Sequence, residues 1–172
     1  MYIPPYDRSR ECNIRGVAFE PVARELFESY GYETKMPTRN EAIYSHIDFW
    51  AKGKDGEWHG VDAKAMKRMN RADAQVQDEW TFVEWKNQYG LDGWLVCGAE
   101  FMCFEVEGGV LLCRREALLE WARSVVDMDK AVTSSRECKY CVYTRKDRKD
   151  LMSLVRFSDM PKGLMKFMPT KG

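Results

Sequence analysis

Between Val17 and Tyr30 the apolar residues Phe19, Ala23, Leu26, Phe27 and Tyr30 recur at helical spacing, with Glu20, Arg24 and Glu28 as a polar row beside them. The pattern predicts an amphipathic first helix. Pro21 has no backbone donor and suits a first turn, so the helix is expected to begin near Val17 or Ala18 and to carry Glu20 in that turn. Gly31 supplies its stop, and Tyr32 to Met36 read as a short strand. The next two segments, IYSHIDFWA (43–51) and EWHGVDAKAM (57–66), are rich in β-branched and aromatic residues and flank the turn-forming KGKDG. They predict a β-hairpin. With Lys54, Asp55 and Gly56 as a three-residue loop, residues whose numbers add to 110 stand opposite one another. Asp48 then faces Asp62, and His46 faces Lys64.

Beyond the hairpin the pattern is choppier. Residues 67–78 are polar, with a short helix expected around ADAQVQDEW (72–80). Four strand-like runs follow, TFVEWKN, WLVCGA, FMCFEV and VLLCRR, with glycines between several of them. EALLEWARSVVDM (116–128) predicts a second amphipathic helix with Leu118, Leu119, Ala122 and Val126 as its core stripe. YCVYT and LMSLVRF form an expected strand pair joined by the basic RKDRKD, ahead of a Gly/Pro-containing end. The predicted class is α/β in the α+β sense, a mixed central sheet flanked by helices with extra strands near the C-terminus.

At 172 residues the chain fits one domain, expected as a core over about residues 15–105 and an extension over about 106–172. Its 27 basic and 27 acidic side chains cancel, so any nucleic-acid partner must be held by local patches rather than by a global field. Six cysteines are few for a disulfide scaffold, and MYIPPYDRSRECN lacks the apolar run of a secretion signal. A reduced, intracellular protein, cytoplasmic and without a membrane span, is expected. Cys138 and Cys141 have half the spacing of a zinc site but no second Cys/His pair nearby; Cys97, Cys103 and Cys113 sit in apolar runs and read as small core residues.

Candidate chemistry concentrates on the hairpin. Residues two apart on a strand share a face, which groups Asp62 and Lys64 with Trp58 and Gly60, and across the ladder with His46, Asp48 and Trp50. Two carboxylates this close repel unless a proton or cation compensates them. Hard oxygen donors suit Mg²⁺, with Mn²⁺ as its substitute, and Mg²⁺ takes only one or two protein carboxylates. The backbone carbonyl of Ala63 is a further donor. A compact ammonium at Lys64 suits the orientation of an attacking water and the neutralisation of charge in a transition state.

These residues resemble the signature of the PD-(D/E)XK nuclease superfamily, an acidic residue on one strand and (Asp/Glu)-x-Lys on the next. Here they are Asp48 and Asp62-Ala63-Lys64. The segment RGVAFEPVARELFESYGYET is similar to the first helix of Holliday junction resolvase-like endonucleases, in which a first-turn glutamate, here Glu20, completes the metal site. The resemblance covers about the first half of the chain. It implies a restriction-endonuclease-like core of helix, three strands, helix and strand, a magnesium-dependent endonuclease acting on DNA, and by analogy a homodimer. Two departures stand out: Ile47 occupies the usual proline position, and residues 70–79 are a weak candidate for the middle helix.

Glu84-Trp85-Lys86 is a second acidic-x-Lys on a strand-like run, with Asp62 as its upstream partner, but only the first placement brings a hairpin-spaced acid together with a helix glutamate. His46 is a candidate phosphate contact, and Gln75 and Gln77 fall where some family members place a glutamine near the site. Phosphate contacts are expected from Lys67, Arg68 and Arg71, and from the basic loop with Arg145, Lys146, Arg148 and Lys149, since residues 139–171 carry nine Lys/Arg against three Asp. The competing function is a catalytically silent nuclease-fold protein that binds nucleic acid or a protein partner as an accessory or inhibitor.

Overall fold

The computed structural model describes residues 11–70 and 73–171. It is a mixed α/β fold with two mixed sheets and few helices. Helix α1 (Glu11–Ser29) leads into β1 (Thr34–Lys35), helix α2 (Arg39–Tyr44), β2 (Phe49–Lys52) and β3 (Trp58–Lys64). After them come β4 (Trp80–Lys86), β5 (Phe101–Val106), β6 (Gly109–Arg114), helix α3 (Arg115–Val125), β7 (Asp127–Val132), β8 (Cys141–Tyr143), β9 (Leu151–Arg156), a short 3-10 helix at Phe157–Asp159, and β10 (Lys166–Pro169).

The first sheet has the order β1-β2-β3-β5-β6-β10 and the second β4-β9-β8-β7. Within the first, β3 runs antiparallel to β2 but parallel to β5, so the chain must cross over between them. It does so through β4, which joins the second sheet instead. The hairpin register is the expected one: Phe49 pairs with Val61, Trp50 with Gly60, Ala51 with His59 and Lys52 with Trp58. Gly53 N donates to Glu57 O at 2.8 Å, and Gly56 closes the loop with φ of 84°. Gly31 ends α1 in the same left-handed region.

Period-2 alternation divides the first sheet between two cores. On one face α1 lays Phe19, Ala23, Leu26 and Phe27 against Phe49, Ala51, Val61, Ala63 and Cys103. On the other, Met102, Phe104 and Cys113 meet Val83 and Trp85 of β4, Val155 of β9, and Leu118 and Ala122 of α3. One cluster therefore draws on both sheets, and β6 and β10 extend the sheet that carries the hairpin. Each fully buried Phe or Leu contributes about 1.5–3 kcal/mol of transfer free energy, so the α1 stripe alone rivals the net stability of an average domain.

Several expectations are corrected. Helix α1 begins well before Val17, and Pro21 lies in its interior. An interior proline costs about 3 kcal/mol through a lost hydrogen bond and a clash with the preceding turn, a cost that burial of the α1 stripe outweighs. Here Val17, whose carbonyl loses its partner, and Pro21 are both exposed, so water can hydrate the gap. Glu20 consequently sits mid-helix, not in a first turn. Residues 73–79 are turns and a single bridge between Lys67 and Gln77, with no helix. WLVCGA is not a strand: Val96 and Cys97 both donate to Gly93 O, folding it into a turn that plugs Trp94 and Leu95 into the core. Helix α3 stops at Val125, and Asp127 already belongs to β7, whose residues are almost all exposed. The Gly/Pro-containing end forms β10, paired with β6. Helix α2 was not anticipated, although Thr38 and Glu41 form a complete capping box.

Cys103, Cys113, Cys138 and Cys141 are buried, and Cys97 is half-buried in the turn. Among the described residues no helix is long and apolar enough to cross a membrane.

Candidate active site

The site begins where β2 enters the sheet. Residues 45–47 leave α2 through a bend in which His46 adopts φ of 48°, a left-handed conformation that histidine tolerates better than most residues. Ile47 is then buried over Gly60, where any Cβ would come within 2.9 Å of the Ile47 Cδ1 atom. Asp48 N donates to Val61 O at 2.9 Å, offset by one residue from the Phe49–Val61 pair that ends the ladder, so Asp48 sits in a bulge-like step where its carboxylate still feels the Asp62 charge.

The Asp48 Oδ2 atom accepts a hydrogen bond from Ala63 N at 2.7 Å. Alternation along β3 turns the Ala63 carbonyl toward the same edge, beyond the end of β2. Asp62 is buried to 1% exposure, and neither of its oxygens meets a donor in hydrogen-bonding geometry. Its compensation is ionic: Lys64 Nζ lies 2.6 Å from Oδ1, and Lys67 adds a weaker attraction. The Lys64 ammonium also sits over the Trp94 ring, 5.3 Å from its centroid.

Burial sets the electrostatics. Desolvation, followed by the neighbouring Asp62 charge, pushes the Asp48 carboxyl up to about 7, against the opposing Ala63 hydrogen bond and Lys64. Desolvation also raises Asp62, although Lys64 opposes it. For Lys64, burial pulls the pKa down, but Asp62, Asp48 and Glu84 outweigh it and hold the ammonium above its ordinary value. Glu20, half-buried on α1, is raised by desolvation and then by Asp48, so the helix does bring it into the field of the acid pair. His46 is lowered by burial and by Lys64, which leaves a neutral imidazole beside the site.

Chemically this is a pair of neighbouring carboxylates, one of them fully buried and short of donors. Such a pair is costly until a proton or a cation joins it. The donor types suit a hard divalent ion of the Mg²⁺ type, two carboxylate side chains and a backbone carbonyl, since such an ion takes few protein ligands and fills the rest of its shell with water. Among the described residues no three His, Cys, Asp or Glu side chains converge as ready-made ligands. Glu20 is thus near the pair but not in contact with both acids.

The remaining sequence candidates separate. His46 does not pair opposite Lys64, because β2 starts only at Phe49; it lies in the bend, within electrostatic reach of Lys64, Asp48 and Glu84. Gln77 is turned to the backbone: it donates to Lys67 O and Trp80 O and accepts from Glu79 N and Trp80 N, building the start of β4. Gln75 lines a shallow groove with Ile14, Arg15 and Arg68, away from the carboxylates. Lys67 is exposed and Arg68 half-buried just past β3, while Arg71 lies outside the described residues. In the basic loop, Arg145 is paired with the buried Asp150, whereas Lys146 and Lys149 are exposed and Arg148 is half-buried.

Two neighbours escaped the sequence reading as site residues. Trp94 was hidden in an apolar run that resembles a strand. In the sequence Glu84 reads only together with Lys86, as the second acidic-x-Lys or else as an ordinary sheet ion pair or part of a substrate groove; Lys86 itself is exposed. Both reach the site from outside the hairpin, and no local spacing could signal that. No family model, curated protein or solved structure matches this chain.

Proposed function

We propose that this protein is a metal-dependent deoxyribonuclease that hydrolyses DNA phosphodiester bonds. The observation that carries the reading is the closeness of the Asp48 and Asp62 carboxylates, with Asp48 hydrogen-bonded to Ala63 N at 2.7 Å and Lys64 ion-paired 2.6 Å from the buried Asp62. It also accords with the PD-(D/E)XK resemblance: α1 is followed by β1, β2 and β3, and then by β5 laid parallel beside β3. The helix of that core between the third and fourth strands is replaced by β4 and the Trp94 turn.

In this reading Asp48 and Asp62 would hold Mg²⁺ together with the Ala63 carbonyl. The ion would supply Lewis acidity and a water acidic enough to be deprotonated near neutral pH. The chain's own groups do the rest. Lys64 opposes the burial that raises the Asp62 carboxyl, and a bound dication would favour the ionised form of both acids. Lys64 presents a compact ammonium to the attacking water and to the charge that grows on the phosphoryl oxygens. Glu20 adds negative charge from the α1 side and orients water at the pair. The neutral His46 offers a hydrogen bond without repelling or attracting the dication. Lys67, Arg68, Lys146 and Lys149 hold the backbone of the DNA. A branched, resolvase-type junction is the substrate to test first.

The test is cleavage of linear duplex, single-stranded and four-way-junction DNA in Mg²⁺ or Mn²⁺, comparing wild type with Asp62→Asn and Lys64→Ala. Metal-dependent cutting by wild type and its loss in both variants is the expected result. No cutting of any substrate would end the enzyme reading, and equal cutting by both variants would move the site elsewhere.

A further inference from the structure

Lys64 has two anionic neighbours of different kinds. Asp62 shares its strand face, is buried, and takes the ammonium at 2.6 Å. Glu84 belongs to β4, the edge strand of the other sheet, and is held against the Trp94 turn. Trp94 N reaches Glu84 Oε2 at 3.5 Å, and Leu95 N donates to Glu84 O at 3.2 Å. Gly93 makes this closeness feasible, since a Cβ there would fall 2.4 Å from Glu84 O and 2.7 Å from Glu84 Cγ. Trp94 in turn carries the Lys64 ammonium over its ring. Glu84 and Lys64 are thus joined through one tryptophan, and the Glu84 charge acts on both Lys64 and His46.

We infer that Glu84 is a positioning residue for Lys64: it receives the ammonium when a divalent cation takes over Asp62. The inference rests on the proposed nuclease reading. An ammonium 2.6 Å from an oxygen that must also serve a dication is repelled by that dication, because like charges a few ångströms apart in a poorly hydrated site interact strongly. Lys64 must then swing away without becoming a buried, unpaired cation, which would be expensive. The Trp94 face provides the path and Glu84 the end point. In that position Lys64 still borders the carboxylate pair but no longer occupies it. The device explains why β4, with no hydrogen bonds to β3, carries an acid within reach of the site.

The experiment is Mn²⁺ titration calorimetry on the full chain, with thermal unfolding in EDTA run in parallel, for wild type, Glu84→Gln and Glu84→Asp. Gln keeps the Trp94 hydrogen bond and removes only the charge. Glu84→Gln should bind Mn²⁺ about tenfold more weakly, the low end of what loss of a supporting group costs a metal site, and Glu84→Asp should recover part of the loss. The melting temperature in EDTA should stay within about 2 °C of wild type, because without metal Lys64 rests on Asp62. A purely structural Glu84 would instead lower that melting temperature in step with affinity. A second readout follows the Lys64 ammonium by ¹⁵N NMR as Mg²⁺ is added: it should move to a new ordered position in wild type and become solvent-like in Glu84→Gln. Equal Mn²⁺ affinity in wild type and Glu84→Gln overturns this role alone. Absence of Mn²⁺ binding by the wild type overturns the nuclease reading and this role together.

Discussion

The same hairpin carries two acid clusters, and they are built in opposite ways. Toward its tip, on one face, His59 lies between two carboxylates: Nδ1 is 2.7 Å from Glu100 Oε2 and Nε2 is 3.1 Å from Asp55 Oδ2. Arg114 adds a contact to the other Glu100 oxygen at 2.8 Å and stacks its guanidinium over Phe101. Both acids are exposed. At its base, on the opposite face, Asp62 is withdrawn from water and Asp48 partly so, and the two share one hydrogen bond and one close ammonium. The outer cluster has enough donors for its acceptors, and the inner one has too few. Surface ion pairs of the first kind are worth at most about 1 kcal/mol and serve as clips. A shortage of donors around this acid pair is the feature on which the proposed cation site rests.

The largest expected effect tests the inner cluster's chemistry. Removing Lys64 by Lys64→Ala, or neutralising Asp62 by Asp62→Asn, should lower the cleavage rate by about a thousandfold, the scale for loss of a group aimed at transition-state charge. Single-turnover cleavage with saturating metal measures it. Asp55→Asn, at the outer cluster, should leave the rate within about twofold, since surface substitutions away from special features change little.

Next is the cost of the donor shortage. The Asp48 carboxyl has a folded pKa of about 7 against 3.8 for an ordinary aspartate. The folded state therefore holds a proton that the unfolded chain has lost, and without metal its stability should fall as pH rises between those two values. Asp48→Asn keeps the Ala63 hydrogen bond and removes the charge. It should flatten this pH dependence and raise the metal-free stability at pH 8 by roughly 2 kcal/mol, discounting the full shift for partial exposure and for relaxation around the pair. Thermal melts in EDTA from pH 4.5 to 8.5 check the sign: a variant less stable than wild type at pH 8 contradicts the account.

The smallest effect belongs to the outer cluster and has the opposite sign with pH. His59 is raised, first by its hydrogen bond to Glu100 and then by Asp55, against some desolvation. Its contribution is fully present below the unfolded histidine value and fades as pH rises through the folded one. His59→Gln should therefore cost under about 1 kcal/mol near pH 5.5 and nothing measurable at pH 9. A loss that grows with pH would show that the imidazole is held neutral.

Which features were legible in the sequence follows from how local they are. The register of β2 and β3 could be counted from KGKDG, because a three-residue loop with glycine in its last place determines every pair beyond it. That count expected Asp48 opposite Asp62; the ladder ends at Phe49–Val61 and Asp48 is offset by one residue, yet the two carboxylates still interact. The α1 stripe, β5, β6 and most of α3 were readable from period alone. Pro21 misled because an interior proline is a cost of about 3 kcal/mol and not a prohibition, and the packing of the α1 stripe on the sheet outweighs it. WLVCGA misled because six apolar residues read alike as a strand or as a buried turn, and Gly93 and Gly98 decided for the turn. Strand β7 has no alternation to read, with nearly every residue exposed. Glu84 and Trp94 arrive from a separate sheet and from the turn that follows it, a placement made by packing between the two cores.

The most direct measurement is an anomalous difference map from a crystal soaked in Mn²⁺ at pH 8. A single strong peak within coordination distance of Asp48 and Asp62, with none at Asp55, His59 and Glu100, is the predicted result. A map with no peak at the inner pair, or with one at the outer cluster alone, would contradict the proposal that Asp48 and Asp62 receive a divalent cation.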